Sequence, residues 1–197
     1  MNLVIIKYNA GNIQSVENAL HHLNSGAVIT DDAELIQSAD KVIFPGVGEA
    51  ETTMNYLKER KLDDLIRSLK QPVLGVCVGL QLLCRYSEEG NTDCIGVFPN
   101  QVKKFISKDN SVKVPHMGWN TINNLRSPLF SGIAENSYVY YVHSYAADIS
   151  RYTIAATDYI QPFSGALQKD NFYAVQFHPE KSADVGSKII QNFIELC

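Results

Sequence analysis

One cysteine stands in a setting that suits nucleophilic chemistry. Cys77 lies in Pro72-Val-Leu-Gly75-Val-Cys77-Val-Gly79-Leu-Gln81, with a glycine two residues away on each side. The apolar run before it reads as a strand and the segment after it as a helix. The thiol therefore sits on a sharp strand-to-helix turn of the nucleophile-elbow kind. Glycines there allow the helix to pack closely on the strand, pushing the sulfur out above the sheet. A helix start beyond the sulfur favours thiolate, and its amides can receive an oxyanion. Cys84, Cys94 and Cys197 lack this setting, and Cys84, seven residues along on an apolar face, reads as core. No Cys-x-x-Cys occurs and no spacing suggests zinc, so neither metal nor cofactor is expected.

A thiol nucleophile needs a base and something to orient that base. Of the five histidines, His21 and His22 fall mid-helix among polar residues and read as solvated. His178 ends the strand-like run Phe172–Phe177 and opens His178-Pro179-Glu180-Lys181-Ser182. Proline stops the ladder, and a carboxylate two residues on can fold back onto the imidazole. His-Pro-Glu by itself is more often a surface turn. Its weight comes from pairing with Cys77 about a hundred residues upstream.

The elements that must carry these groups fall into two styles. In the first half, short apolar runs (Leu3–Ile6, Ala27–Thr30, Val42–Phe44, Pro72–Val76) alternate with helical spacing. Helices are expected from Ile13 to Leu23, over Ala33–Gln37 behind an Asp31-Asp32 cap, from Glu49 to Leu69 with a break near Lys61, and from Gly79. That alternation indicates a parallel sheet covered on both faces. The second half is strand-rich: Val102–Ile106, Val112–Ile122, Tyr138–Tyr145, Tyr152–Thr157, Ser164–Gln168 and Phe172–Phe177. Only Ala183–Leu196 returns to helix. The expected fold is α/β, a mainly parallel central sheet with an antiparallel extension, in one domain over residues 1–197.

Composition bounds the rest. The chain has 197 residues, a formal net charge of −4 and 45% hydrophobic residues, an ordinary globular balance without the basic footprint of a nucleic-acid binder. The apolar run at the start has no basic segment before it and is not expected to be a secretory leader. No stretch approaches the roughly 18 apolar residues of a membrane span. A cytoplasmic protein without nucleic-acid or membrane partners is expected.

Gly75-Val-Cys77-Val-Gly79-Leu-Gln81 together with Phe177-His178-Pro179-Glu180 resembles the class I, or triad, glutamine amidotransferases, and the resemblance covers nearly the whole chain. Five segments are similar to the glutaminase subunits of imidazole glycerol phosphate synthases. They are Lys7–Val16, Pro45–Gly48, Val114-Pro-His-Met-Gly-Trp-Asn120, Tyr141–Tyr145 and His178–Ser182. The resemblance implies a three-layer fold and a Cys77-His178-Glu180 triad that hydrolyses glutamine. It implies an oxyanion site at Val78 and the Gly46–Gly48 loop, and glutamine contacts from Gln81, Glu89, His143, Ser144 and Tyr145. It also implies a heterodimer with a separate (β/α)8 cyclase subunit, met by Asn12, Met117, Trp119 and Lys181. Val76 and Val78 stand where many members have Ile and Leu. The first loop reads Tyr-Asn-Ala-Gly-Asn rather than the commoner Asp-Tyr-Gly-x-Gly-Asn. Alternatives are the glutaminase subunit of another amidotransferase and a catalytically silent interaction subunit.

Overall fold

The computed structural model describes residues 1–8, 13–46, 48–107 and 112–197. The first half runs β1 (Leu3–Ile6), α1 (Ile13–His22), β2 (Val28–Thr30), α2 (Ala33–Gln37), β3 (Lys41–Gly46), α3 (Ala50–Glu59), α4 (Leu62–Ser68), β4 (Val73–Cys77) and α5 (Val78–Leu83). The second half is mostly strand: β5 (Tyr86–Ser87), β6 (Thr92–Asp93), β7 (Gln101–Lys104), β8 (His116–Ile122), β9 (Ser137–His143) and β10 (Tyr145–Ala147). It continues through β11 (Thr153–Asp158), β12 (Pro162–Lys169) and β13 (Phe172–Val175) to the final helix α6 (Ala183–Leu196).

The expected local signals operate. Asp32 caps α2 by accepting hydrogen bonds from the amides of Glu34 and Leu35 at 2.9 and 3.1 Å. Lys61 adopts a left-handed conformation, φ 57°, which divides α3 from α4 where a break was expected. Two departures have plain causes. The strand expected from Val112 begins only at His116, since Pro115 has no N–H to donate to a ladder. The paired β5 and β6 were not foreseen, because two-residue strands are too short to show a period.

The main sheet has the order β11-β12-β13-β4-β3-β1-β2. From β2 to β13 its neighbours are parallel, and β12 and β11 add to the β13 edge antiparallel. Every residue of β1, β4 and β13 is buried. Successive side chains point to opposite faces, so both faces must be covered, which gives the three-layer α/β arrangement. The strands β10-β7-β5-β6 form a second sheet, and β8 pairs with β9 in a third.

Register sets the functional edge. Gly46 at the end of β3 pairs with Cys77 at the end of β4, and Val175 of β13 pairs with Val76. The chain leaving β13 therefore carries Gln176, Phe177 and His178 past the cysteine, at the carboxyl ends of adjacent parallel strands. The turn after His178 is tied down by its backbone. His178 donates its amide to Tyr140 O of β9 at 2.9 Å, Tyr140 donates to Ser182 Oγ at 2.9 Å, and Ser182 Oγ donates to His178 O at 2.6 Å. Gly186 lets α6 close on this turn, since a Cβ there would lie 1.9 Å from Pro179 O.

Gly186→Ala should therefore destabilise the chain by about 1–3 kcal/mol or more, the usual effect of overpacking. Gly26→Ala, with nothing within 4 Å of the added carbon, should be neutral or slightly stabilising. Denaturant unfolding of the two variants checks this, and equal effects would contradict it.

Candidate active site

The elbow is built by backbone crowding. Cys77 has φ 54° and ψ −109°, a conformation that costs a residue with a side chain on the order of 1–3 kcal/mol. It is imposed by α5 lying directly against β3. A Cβ on Gly79 would fall 2.1 Å from Phe44 O, and one on Gly75 would fall 2.8 Å from Leu83 Cδ1. Only glycine tolerates the first approach, so the flanking glycines serve close packing, as their spacing suggested. Gly46 meets the same turn from β3. Gly48, at φ 121°, holds a conformation that side chains resist. Val47 between them lies outside the described residues.

His178 and Glu180 form the second part. Nδ1 of His178 and Oε1 of Glu180 are 2.8 Å apart, and both side chains are almost wholly buried. The carboxylate thus folds back over two residues. The other ring nitrogen, Nε2, is also buried and interacts with the Cys77 sulfur at less than full hydrogen-bond geometry. Burial alone would lower the imidazole pKa. The adjacent Cys77 sulfur and the Glu180 carboxylate outweigh it and raise the pKa to about 10. At neutral pH the ring beside Cys77 is therefore an imidazolium.

A cavity of about 520 Å³ opens in front of this pair. Cys77, Val78, Gln81, Glu89, His143, Ser144, Tyr145, His178 and Gly48 all line it. Glu180 is packed behind His178 and Gly46 beneath Val78, so neither reaches the wall. One Glu89 oxygen accepts the Ala50 amide at 2.9 Å, and burial raises the pKa of its half-buried carboxyl. Gln81 Nε2 donates to Tyr145 O at 2.9 Å and to Gln176 Oε1 at 3.1 Å. Lys181, expected at a partner interface, is exposed and lines the rim of the cavity. Met117 and Trp119 project from β8 at 63% and 52% exposure, and Asn12 lies outside the described residues.

Two groups beside the cavity were not singled out from sequence. Gln176 is fully buried, with Nε2 3.8 Å from Cys77 Sγ. An uncharged polar residue inside the apolar run Phe172–Phe177 was the available signal. His116 is the other. Its Nδ1 lies 3.0 Å from His143 Nε2, and its ring stacks between Tyr141 and Tyr159, centroids 4.7 and 3.9 Å away. Burial lowers the His116 pKa to about 4. Burial, opposed by a hydrogen bond to Tyr145 O and aided by His116 and His178, lowers that of His143 to about 3.

The sequence profile of the family described as glutamine amidotransferase class-I matches residues 4–196. The imidazole glycerol phosphate synthase subunit HisH of Bacteroides fragilis is 60% identical, with both chains covered in full. That of Bacteroides thetaiotaomicron is 57% identical over the same span, and that of Escherichia coli 43%. Among solved structures, a glutamine amidotransferase from Thermotoga maritima superposes with a TM-score of 0.67 at 17% identity, covering 99% of this chain and 83% of that one. Another glutamine amidotransferase gives 0.74 at 16% identity, covering 98% and 97%. At such identities the structural likeness speaks for the fold.

The buried histidine pair has a consequence for acid stability. A depressed native pKa gives stability that is present above the ordinary value near 6.5 and lost as pH falls toward 4. The unfolded chain binds the proton that the native ring refuses, steepening the loss by up to about 1.4 kcal/mol per pH unit for each histidine. His116→Phe keeps the stacked ring and removes one titrating group. Its unfolding free energy should fall less steeply than the wild type's between about pH 6.5 and about pH 4, as measured by urea titration at several pH values.

Proposed function

The chain belongs to the class-I glutamine amidotransferase family, and from that membership we propose that it is the glutaminase subunit of an imidazole glycerol phosphate synthase. It hydrolyses glutamine to glutamate and delivers the ammonia to a cyclase subunit acting in histidine biosynthesis. The observation that carries this reading is the buried His178–Glu180 pair set against Cys77, in a cavity also lined by Gln81 and Glu89. The full-length likeness to the HisH subunits of three bacteria narrows the class to this synthase.

In the proposed mechanism the Cys77 sulfur attacks the side-chain amide carbon of glutamine. His178 carries the proton taken from the thiol. The carbonyl oxygen becomes an oxyanion within reach of the Val78 amide and an amide of the Gly46–Gly48 loop. His178 then gives its proton to the departing nitrogen, releasing ammonia and leaving a γ-glutamyl thioester. Water, deprotonated by the now neutral imidazole, attacks the thioester, and glutamate leaves as the thiol is restored. Glu180 orients the ring and stabilises its charged form, the role of the carboxylate in other triads. Gln81, Glu89 and the His143–Tyr145 segment hold the amino-acid end of the substrate. The Glu89 oxygen that has no hydrogen-bond partner among the described residues suits an ammonium group.

The partner side of the reading rests on β8 and β9. Directly opposed residues share a face in an antiparallel pair. Met117 and Trp119 therefore lie beside Val142, Tyr140 and Tyr138. Met117, Trp119 and Tyr138 are exposed, and Val142 lines the cavity. An apolar strip thus runs from the surface to the mouth of the site, with Lys181 at its rim. A cyclase barrel seated there covers the mouth and keeps ammonia from water. No helix among the described residues is long and apolar enough to cross a membrane, which agrees with a cytoplasmic setting for the complex.

Purified chain should release little glutamate alone, and release should rise when the cyclase subunit holds its ligand. Full activity without the partner would remove the gating part of the proposal. Cys77→Ala should abolish release, and glutamate formation by that variant would refute the mechanism. Trp119→Ala should weaken the heterodimer by about 2 kcal/mol or more, the size of an aromatic hot spot. Calorimetric titration with the cyclase reads that loss.

A further inference from the structure

Tyr145 O is an obligate acceptor, and it orients the Gln81 and His143 side chains. Gln81 meets it with an atom 2.9 Å away, which must therefore be the amide nitrogen, Nε2. The second hydrogen of that nitrogen points at Gln176, 3.1 Å away, so the atom facing it must be the oxygen Oε1. The NH₂ end of the Gln176 carboxamide is then the end directed at Cys77 Sγ, at 3.8 Å. A flipped carboxamide would aim its oxygen at the sulfur and repel a thiolate.

The same carbonyl reads in the other direction. His143 meets it through Nδ1 at 2.8 Å, so that nitrogen carries the hydrogen. A neutral ring then has an acceptor at Nε2, and His116 must donate to it from Nδ1 across 3.0 Å. His116 Nε2 is left as an acceptor, and Asn120 Nδ2 lies 3.3 Å from it. The Asn120 carboxamide is oriented independently. It donates to Asp158 O at 2.9 Å and accepts from the Thr121 amide at 2.8 Å. The two backbone-anchored ends agree, with a donor and an acceptor at every link.

We propose that Gln176 is a positioning residue for the nucleophile, directing an N–H at the Cys77 sulfur in an orientation set by Tyr145 O through Gln81, and that Asn120, His116 and His143 form an oriented chain holding that carbonyl. The chain starts on β8, whose opposite face carries Met117 and Trp119, and ends at the reacting atom. Burial keeps both histidines neutral, as the chain of single donors requires. The titratable groups coupled to Cys77 are His178 and Tyr8, whose phenol donates to Pro45 O. Gln176 is the uncharged donor among them. The inference rests on Cys77 as the nucleophile of the proposed glutaminase.

The test uses the full chain with Gln176→Met and Gln176→Glu. Iodoacetamide alkylation of the free chain, followed on the Cys77 peptide by mass from about pH 5 to about pH 10, reads the thiolate without partner or glutamine. The midpoint should rise by about one pH unit in Gln176→Met and further in Gln176→Glu, since a donor to the charged form is lost and then reversed. Glutaminase kcat with the cyclase present should fall about tenfold or more, with KM changing less than kcat. Wild-type midpoints in both variants, with or without a loss of kcat, would overturn the assignment. A wild type that releases no glutamate while the midpoints still shift would defeat the proposed function and leave only the donation from Gln176 to the Cys77 sulfur standing. Nitrogen-15 NMR of the wild type decides the case if both variants misfold. His116 and His143 should each show a neutral ring protonated at Nδ1, and an Nε2–H form of either would refute the chain.

Discussion

The structure depends on one close approach, that of α5 against the carbonyl of Phe44 in β3. Because Gly79 has no Cβ, the helix can start directly over the sheet edge, and Cys77 is forced into a left-handed turn. The strain is local and is offset by the buried strands on either side. Everything chemical follows from it: Cys77 and Val78 at the start of α5 line one cavity, and His178 arrives there from the neighbouring strand.

The charge arrangement is a consequence of that geometry. An imidazole buried as deeply as His178 would ordinarily lose its proton. It keeps it because Glu180 lies on one nitrogen and the sulfur near the other. His143 and His116, equally buried a few ångströms away but without a charged partner, go the opposite way. Two histidine environments side by side thus hold one ring charged and two rings neutral, and the difference is the presence of an anion.

Much of this was legible in the residues. The alternation of apolar runs and helical spacing foretold the parallel core, the break at Lys61 and the strand-rich second half, because each depends on near neighbours. Cys77 between its glycines and the His178-Pro179-Glu180 turn were readable for the same reason. Gln176 and His116 were not. A buried glutamine one residue before an aromatic, or a histidine at the start of a strand, acquires meaning only from what lies across the sheet.

Local chemistry in the sequence therefore determined the proposed nucleophile, its proposed base and the strands that carry them, since those signals span fewer than a dozen residues each. Tertiary structure alone decided which groups share the cavity and in what protonation state. Pairing β3, β4 and β13 brings Gly46, Cys77 and Gln176 together from positions some 130 residues apart. Pairing β8 with β9 joins His116 to His143. Hydrogen-bond direction and proton affinity belong to those long-range neighbours, because a donor has a direction only once its acceptor is fixed in space.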